Sequence, residues 1–294
     1  MDRRTQLGEF LRSRRARLRP EEFGLSDYGR FRRVPGLRRE ELARLAGVSV
    51  DHYVRLEQGR ELHFSDEVLD AVARTLRLTA DERAHLYRLA RPTASTVPER
   101  VQRVRPGLRR LLDNIPDVPA YVIGRGIEIL AWNRPAAALI ADFGAREAGE
   151  RNFARMFFLE ASFREVFADP SAKADDLVAH LHHDAGGSPG DPELARLVGE
   201  LSIGSEDFRR RWAEHDVRAK SHGQYRVLHP VVGALDLSYE TLRPPDDPEQ
   251  ALVTYTAEPG TPSDAALRVL TALGEAGYVR GAAVPQGREP SATK

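Results

Sequence analysis

A chain of 294 residues is long enough for two domains of about 100–200 residues each. It has no cysteine, which excludes disulfides and thiolate metal sites, and no run of about 18 apolar residues, which excludes a transmembrane helix. The formal net charge of zero conceals an asymmetry: residues 1–110 carry 25 Arg against 16 Asp and Glu, a net of +9, and the remainder carries −9. A basic first part suits phosphate binding through counterion release, and an acidic second part calls for a different task. Positive charge is almost all Arg, which fits bidentate phosphate and guanine contacts and equally fits GC-rich coding. The N-terminus lacks the apolar run of a signal peptide, so the expected location is the cytoplasm.

In chain order, Leu7 to Leu18 reads as a first helix, with Leu7, Phe10 and Leu11 inward and five arginines on its other faces. A long basic loop follows, holding Arg32 and Arg33 around Phe31 and closing at Pro35-Gly36; it either lies on a DNA backbone or is an ordinary surface loop. Residues 37–60 then form two short helices about a tight turn. Leu37, Leu42, Leu45 and Ala46 make the apolar face of the first, Gly47 closes it and Val48 plugs the turn. Ser49 caps the second helix, which buries Tyr53, Val54 and Leu56 and stops near Gly59. This is a helix-turn-helix pattern, whose second helix enters the major groove. Ser65 and Thr79 start two further helices, giving five over residues 7–90, and residues 91–100 have a linker's composition.

By position, Ser49, Val50, Asp51 and His52 open the recognition helix and are placed to meet base edges. Arg38, Arg55 and Arg60 are expected on phosphates, with Arg32 and Arg33 as further candidates from the loop. Leu-Ala-x-x-Ala-Gly-Val-Ser over 42–49, with Arg-Leu-Glu-x-Gly-Arg over 55–60, resembles the XRE (lambda-repressor-like) family. That resemblance implies a polar DNA contact at Arg39.

The second part opens with a helix near 101–114, then two short strands at 119–124 and 127–133 about an Arg125-Gly126 hairpin. Helical segments follow to 214, then long strands over 223–259 and a helix from Ser263; residues after about 281 read as a disordered tail. Strands with intervening helices mean an α+β domain. His180, His182, His183 and Asp184 are the one metal-like cluster, and they read as a solvated helix end rather than a site; no metal or cofactor is expected. His215 reads as a hydrogen-bonded structural histidine. No catalytic signature occurs, so no catalytic residue is assigned. Trp132, Met156, Phe157, Phe158, Phe163, Trp212, Tyr239 and Tyr255 could line a pocket or simply fill a core, and sequence alone favours the core.

Ile129-Leu-Ala-Trp-Asn133, Phe208-x-x-x-Trp212-Ala-x-His215-Asp-Val217, His229-Pro-x-Val-Gly233 and Tyr255-Thr-Ala-Glu-Pro259 resemble the MmyB-like ligand-binding domain that follows XRE helix-turn-helix domains in actinobacterial regulators. Where that family often carries an Arg after the Leu of the 177–181 helix, this chain has His182 and His183. The resemblance implies a PAS-like fold around a hydrophobic pocket, with fatty acids as a ligand class, and it shifts the aromatic set toward a ligand cavity.

The expectation is a multidomain chain: an all-α lambda-repressor-like helix-turn-helix domain over 1–92, a linker over 93–104, an α+β PAS-like domain over 105–280 and a tail over 281–294. It is expected to be a DNA-binding repressor that works as a homodimer on a double-stranded DNA operator and senses a small hydrophobic ligand, with no membrane partner. Two alternatives stand: a second domain that serves dimerisation or protein docking without a ligand, and an enzyme using a PAS-like pocket.

Overall fold

The computed structural model describes residues 3–25, 36–60, 64–91, 102–187, 191–215, 221–245, 247 and 249–281. The expectations for Arg32, Arg33 and the tail lie outside these. The chain forms two units, Met1–Arg100 with Val178–Ala219, and Val101–Leu177 with Lys220–Lys294.

In the first unit, α1 (Arg3–Arg17), α2 (Arg39–Ala46), α3 (Val50–Glu57), α4 (Asp66–Thr75) and α5 (Ala80–Ala90) are the five expected helices, with a 3-10 turn at Pro20–Phe23. Their boundaries follow local chemistry. Gly47 ends α2 at φ 69° and Gly59 follows α3 at φ 62°, both in the left-handed region that costs glycine nothing. The Ser49 hydroxyl accepts the His52 amide at 3.1 Å. Thr79 and Glu82 exchange side-chain and backbone hydrogen bonds as a capping box. Leu7, Phe10, Leu11, Leu42, Tyr53, Leu56, Leu69, Val72, Leu86 and Leu89 form one core. Leu45 departs from expectation: it is 38% exposed, and Ala43 takes the inward position. The inward side is Leu42, Ala43 and partly buried Ala46, and Leu45 lies at its margin, about 110° from its centre.

The second unit holds α6 (Pro106–Asp113), β1 (Ala120–Ile123), β2 (Ile129–Trp132), α7 (Arg134–Leu139), α8 (Phe153–Leu159) and α9 (Ala161–Arg164). Next come α10 (Pro170–Gly187), α11 (Pro192–Gly204) and α12 (Glu206–Ala213), then β3 (His222–His229), β4 (Gly233–Leu242), β5 (Ala251–Thr256) and α13 (Pro262–Glu275). The division between units falls inside α10; its residues from Val178, with α11 and α12, belong to the first unit. The sheet has five strands in the order β2-β1-β5-β4-β3, and every pairing is antiparallel. Helices are inserted between β2 and β3, with α6 before β1 and α13 after β5, so the unit is α+β with a PAS-like arrangement. Inward positions alternate along β3 and β4, as a sheet with one covered face requires. Both edges are partly capped by loops: Ile129 donates to the Arg151 carbonyl, and Leu228 to that of Val166.

Candidate functional site

The recognition helix α3 is held by what it buries. Tyr53 and Leu56 enter the core, and Glu57 is buried with them. Arg15 grips that carboxylate with two bonds, at 2.9 and 3.1 Å, while its third donor reaches the Leu37 carbonyl at 2.6 Å. Arg39 donates to the same carboxylate at 2.8 Å. Burial pushes the Glu57 carboxyl up, but the two guanidiniums outweigh it and hold it below the ordinary carboxylate range. One carboxylate thus ties α1, the start of α2 and the end of α3. Because Arg39 engages through Nε and its side chain is 42% exposed, its outer face remains available for a phosphate or base.

The opposite face of α3 is open. Val50 is 45% exposed, Ser49, Asp51, Arg55 and Arg60 are exposed, and His52 and Arg38 are half-buried. These sequence-predicted DNA residues come together at the N-terminal end and outer face of α3 and at the start of α2. Asp51 and Arg55 form an ion pair one helical turn apart, and the His52 ring lies 5.1 Å from that of Phe64. Arg15, expected like Arg14 away from the core of the first helix, is instead turned inward, and Glu57, which it grips, has no role assigned from the sequence. Their signal is a charged residue on the inward face of each helix.

His182, Trp212 and His215 take part in a polar core of the first unit. His182, expected at a solvated helix end, is instead buried, because its ring stacks on Trp212 at 3.7 Å and 12°. Its Nε2 donates to the Trp212 carbonyl at 3.0 Å. Burial and the neighbouring His215 lower its pKa to about 3 against the raising effect of that hydrogen bond. His215 donates from Nδ1 to the Ala213 carbonyl at 3.0 Å, and its Nε2 lies 3.4 Å from Glu9. Buried Arg14 pairs with Glu82 at 3.0 Å and donates to the carbonyl of His215. His180 and Asp184 approach to 3.8 Å. Among the described residues no three His, Asp or Glu side chains converge as a metal set.

In the second unit the aromatic set is divided. Phe153 stacks on Tyr121 at 5.9 Å and meets Phe163 edge-on at 5.2 Å; Met156, Phe157 and Phe158 are buried in the same core. Tyr225 and Tyr239 stack at 4.9 Å, and the Tyr225 hydroxyl donates to Asp176 at 2.6 Å. The Tyr255 hydroxyl, pushed up to about 12 by burial, shares a 3.2 Å hydrogen bond with that of Tyr121. The Lys173 ammonium sits among these rings, 4.3 Å from Tyr225 and 4.8 Å from Phe153. Trp132 packs on Phe143 at 5.5 Å beneath the Arg151 guanidinium. Trp212 belongs to the first unit, so the structure does not group it with the other seven.

Two cavities open beside this core. One of about 270 Å³ is lined by Tyr225, Tyr239, Asp169 and Asp176. The other, about 480 Å³, has apolar walls from Ile140, Ala141, Phe163 and Val166. Its charged groups, Asp142, Arg146, Glu160 and Arg280, carried no sequence signal, because they come together only through the fold. Phe163 and Tyr239 are the members of the predicted set that reach a cavity. The larger volume is within the range of small-molecule pockets, about 300–1,000 Å³. No helix among the described residues is long and apolar enough to cross a membrane.

No curated protein matches the chain. Two families do: a helix-turn-helix domain over residues 6–86, and the MmyB-like transcription regulator ligand-binding domain over residues 104–270. The first match reaches into all five N-terminal helices, and the second covers the sheet and the larger cavity's lining except Arg280 and Gly281. With an open recognition helix in one unit and a ligand-sized cavity in the other, the chain belongs to the helix-turn-helix transcription regulators with an MmyB-like ligand-binding domain.

Proposed function

We propose that the protein is a repressor that binds a pseudo-palindromic operator as a homodimer and leaves it, or tightens on it, when a small apolar or amphipathic molecule occupies the C-terminal domain. The reading keeps the domain limits of 1–92 and 105–280 as the functional division, with a cytoplasmic setting. Ser49, Val50, Asp51 and His52 read base edges, and Arg38, Arg39, Arg55 and Arg60 hold the phosphates that set register. The observation that carries this is the α3 helix, fixed from beneath by Glu57 while Val50 and its neighbours face outward. A ligand changes DNA affinity only through unequal affinity for two states of the protein. Fatty acids are the ligand class favoured by membership of the family together with an apolar-walled cavity of about 480 Å³.

Native mass spectrometry of the purified chain, followed by denaturing extraction, examines stoichiometry and ligand together. A dimer with a discrete small-molecule adduct supports the sensor reading. An apo dimer that binds no added amphiphile favours a docking module, consistent with how fully the aromatic core is packed. For the DNA half, an operator selected from random duplexes is titrated with variants. Arg55→Ala lowers affinity across sequences and reduces the salt slope by about one, whereas Val50→Ala changes which bases are preferred. Equal effects of the two on every sequence contradict the assigned roles.

A further inference from the structure

The 480 Å³ cavity holds four charged side chains, and three of them are already answered within the protein. Arg146 and Glu160 neutralise each other through two parallel bonds of 2.6 and 2.7 Å. Asp142 accepts the backbone amides of Gly144 and Ala145, at 3.0 and 3.2 Å. Arg280 differs. It donates to the carbonyls of Leu139 at 3.2 Å and Leu228 at 2.7 Å, and pairs with no carboxylate among the described residues. A guanidinium has five N–H donors, so three face no acceptor among the described residues. Burial lowers this group from its ordinary value, so its charge is incompletely compensated. It also lies beyond residues 104–270, the stretch matched by the ligand-binding family.

We propose that Arg280 is the specificity-determining anchor of this cavity, gripping the monoanionic head group of an amphipathic ligand whose apolar part lies along Ile140, Phe163 and Val166. The planar fork of a guanidinium matches the two oxygens of a carboxylate, and the two carbonyl bonds hold that fork in place before the ligand arrives. Asp142 lines the same cavity, and a carboxylate there penalises a dianion more than a monoanion. The proposal rests on the reading that the C-terminal domain binds a small molecule, and it adds the chemistry of the head group and the residue that selects it.

The test is isothermal titration of the full chain with three probes of one tail length: decanoate, decanol and decyltrimethylammonium. The wild type binds decanoate about tenfold or more tighter than decanol, and the cation weakest. Arg280→Gln loses that preference while keeping its affinity for decanol, and Arg280→Lys keeps part of it. Thermal melting reports whether Arg280→Gln is folded, since its two carbonyl bonds are lost. The wild-type series needs no variant: equal affinity for decanoate and decanol overturns the anchor and leaves ligand sensing standing. A folded Arg280→Gln with the wild-type ratio overturns it likewise. Failure of all three probes to bind removes the sensing reading and the anchor with it.

Discussion

Acidification should destabilise the first unit through one buried imidazole. His182 is packed against Trp212 and His215, and its pKa of about 3 in the folded chain compares with about 6.5 when unfolded. The folded value is the lower one, so below pH 6.5 the unfolded chain binds the proton and the folded chain does not. Stability therefore falls as pH drops from about 6.5 toward 3, and is unaffected by this group above about 7. At pH 5 the linkage amounts to about 2 kcal/mol, and His85, also lowered by burial, acts in the same direction. The chain has two tryptophans, Trp132 in the second unit and Trp212 in the first, so a Trp132→Phe background makes fluorescence report the first unit. In urea titrations at pH 7 and pH 5, His182→Gln should lose about 2 kcal/mol less than its parent, although it starts less stable because the ring stack is gone. An equally steep decline in both proteins, or an NMR titration of His182 near 6.5, would refute the reasoning.

Other expectations are equally direct. Glu57→Gln leaves the Arg15 guanidinium buried without its carboxylate and should cost about 3–5 kcal/mol in denaturant unfolding, with DNA affinity falling alongside. Replacing both partners, Glu57→Leu with Arg15→Met, should recover most of that stability; an Arg15-paired Glu57 that can be removed for under about 1 kcal/mol contradicts the clamp. Two glycines should separate by their surroundings. At Gly47 an added Cβ meets nothing within 4 Å, so Gly47→Ala costs only the left-handed backbone, about 1–2 kcal/mol, by thermal melting. At Gly59 the same atom would lie 2.7 Å from the Arg4 carbonyl oxygen, so Gly59→Ala should be clearly worse; equal losses would be the contrary result. Ser49→Ala removes the α3 cap and should cost about 1 kcal/mol in the same melts, an effect that Ser49→Asp avoids.

The helix-turn-helix was legible because its determinants are local. Gly47 needs a left-handed backbone, Ser49 and Thr79 bond an amide three residues on, and Leu42, Tyr53 and Leu56 repeat at helical spacing. Such signals span a few residues and are written in the chain itself. The open face of α3 follows from the same periodicity, and so does the hairpin of β1 and β2, where Gly126 turns the chain at φ 64°.

What the sequence could not yield depends on partners distant in the chain. His182 looks like one of several histidines in a polar run; only its approach to Trp212, thirty residues on, makes it a buried neutral ring. Trp212 reads as one more aromatic of the ligand-binding half, yet it packs in the unit that carries α3. Arg280 is one arginine among many until the fold brings it to the cavity of Ile140 and Phe163. By itself the sequence determined helices, caps and turns, because backbone sterics and hydrogen bonding act over one or two turns. The tertiary structure decided which buried charges are answered and which cavity remains, because those depend on side chains that meet only after the chain has closed long loops between them.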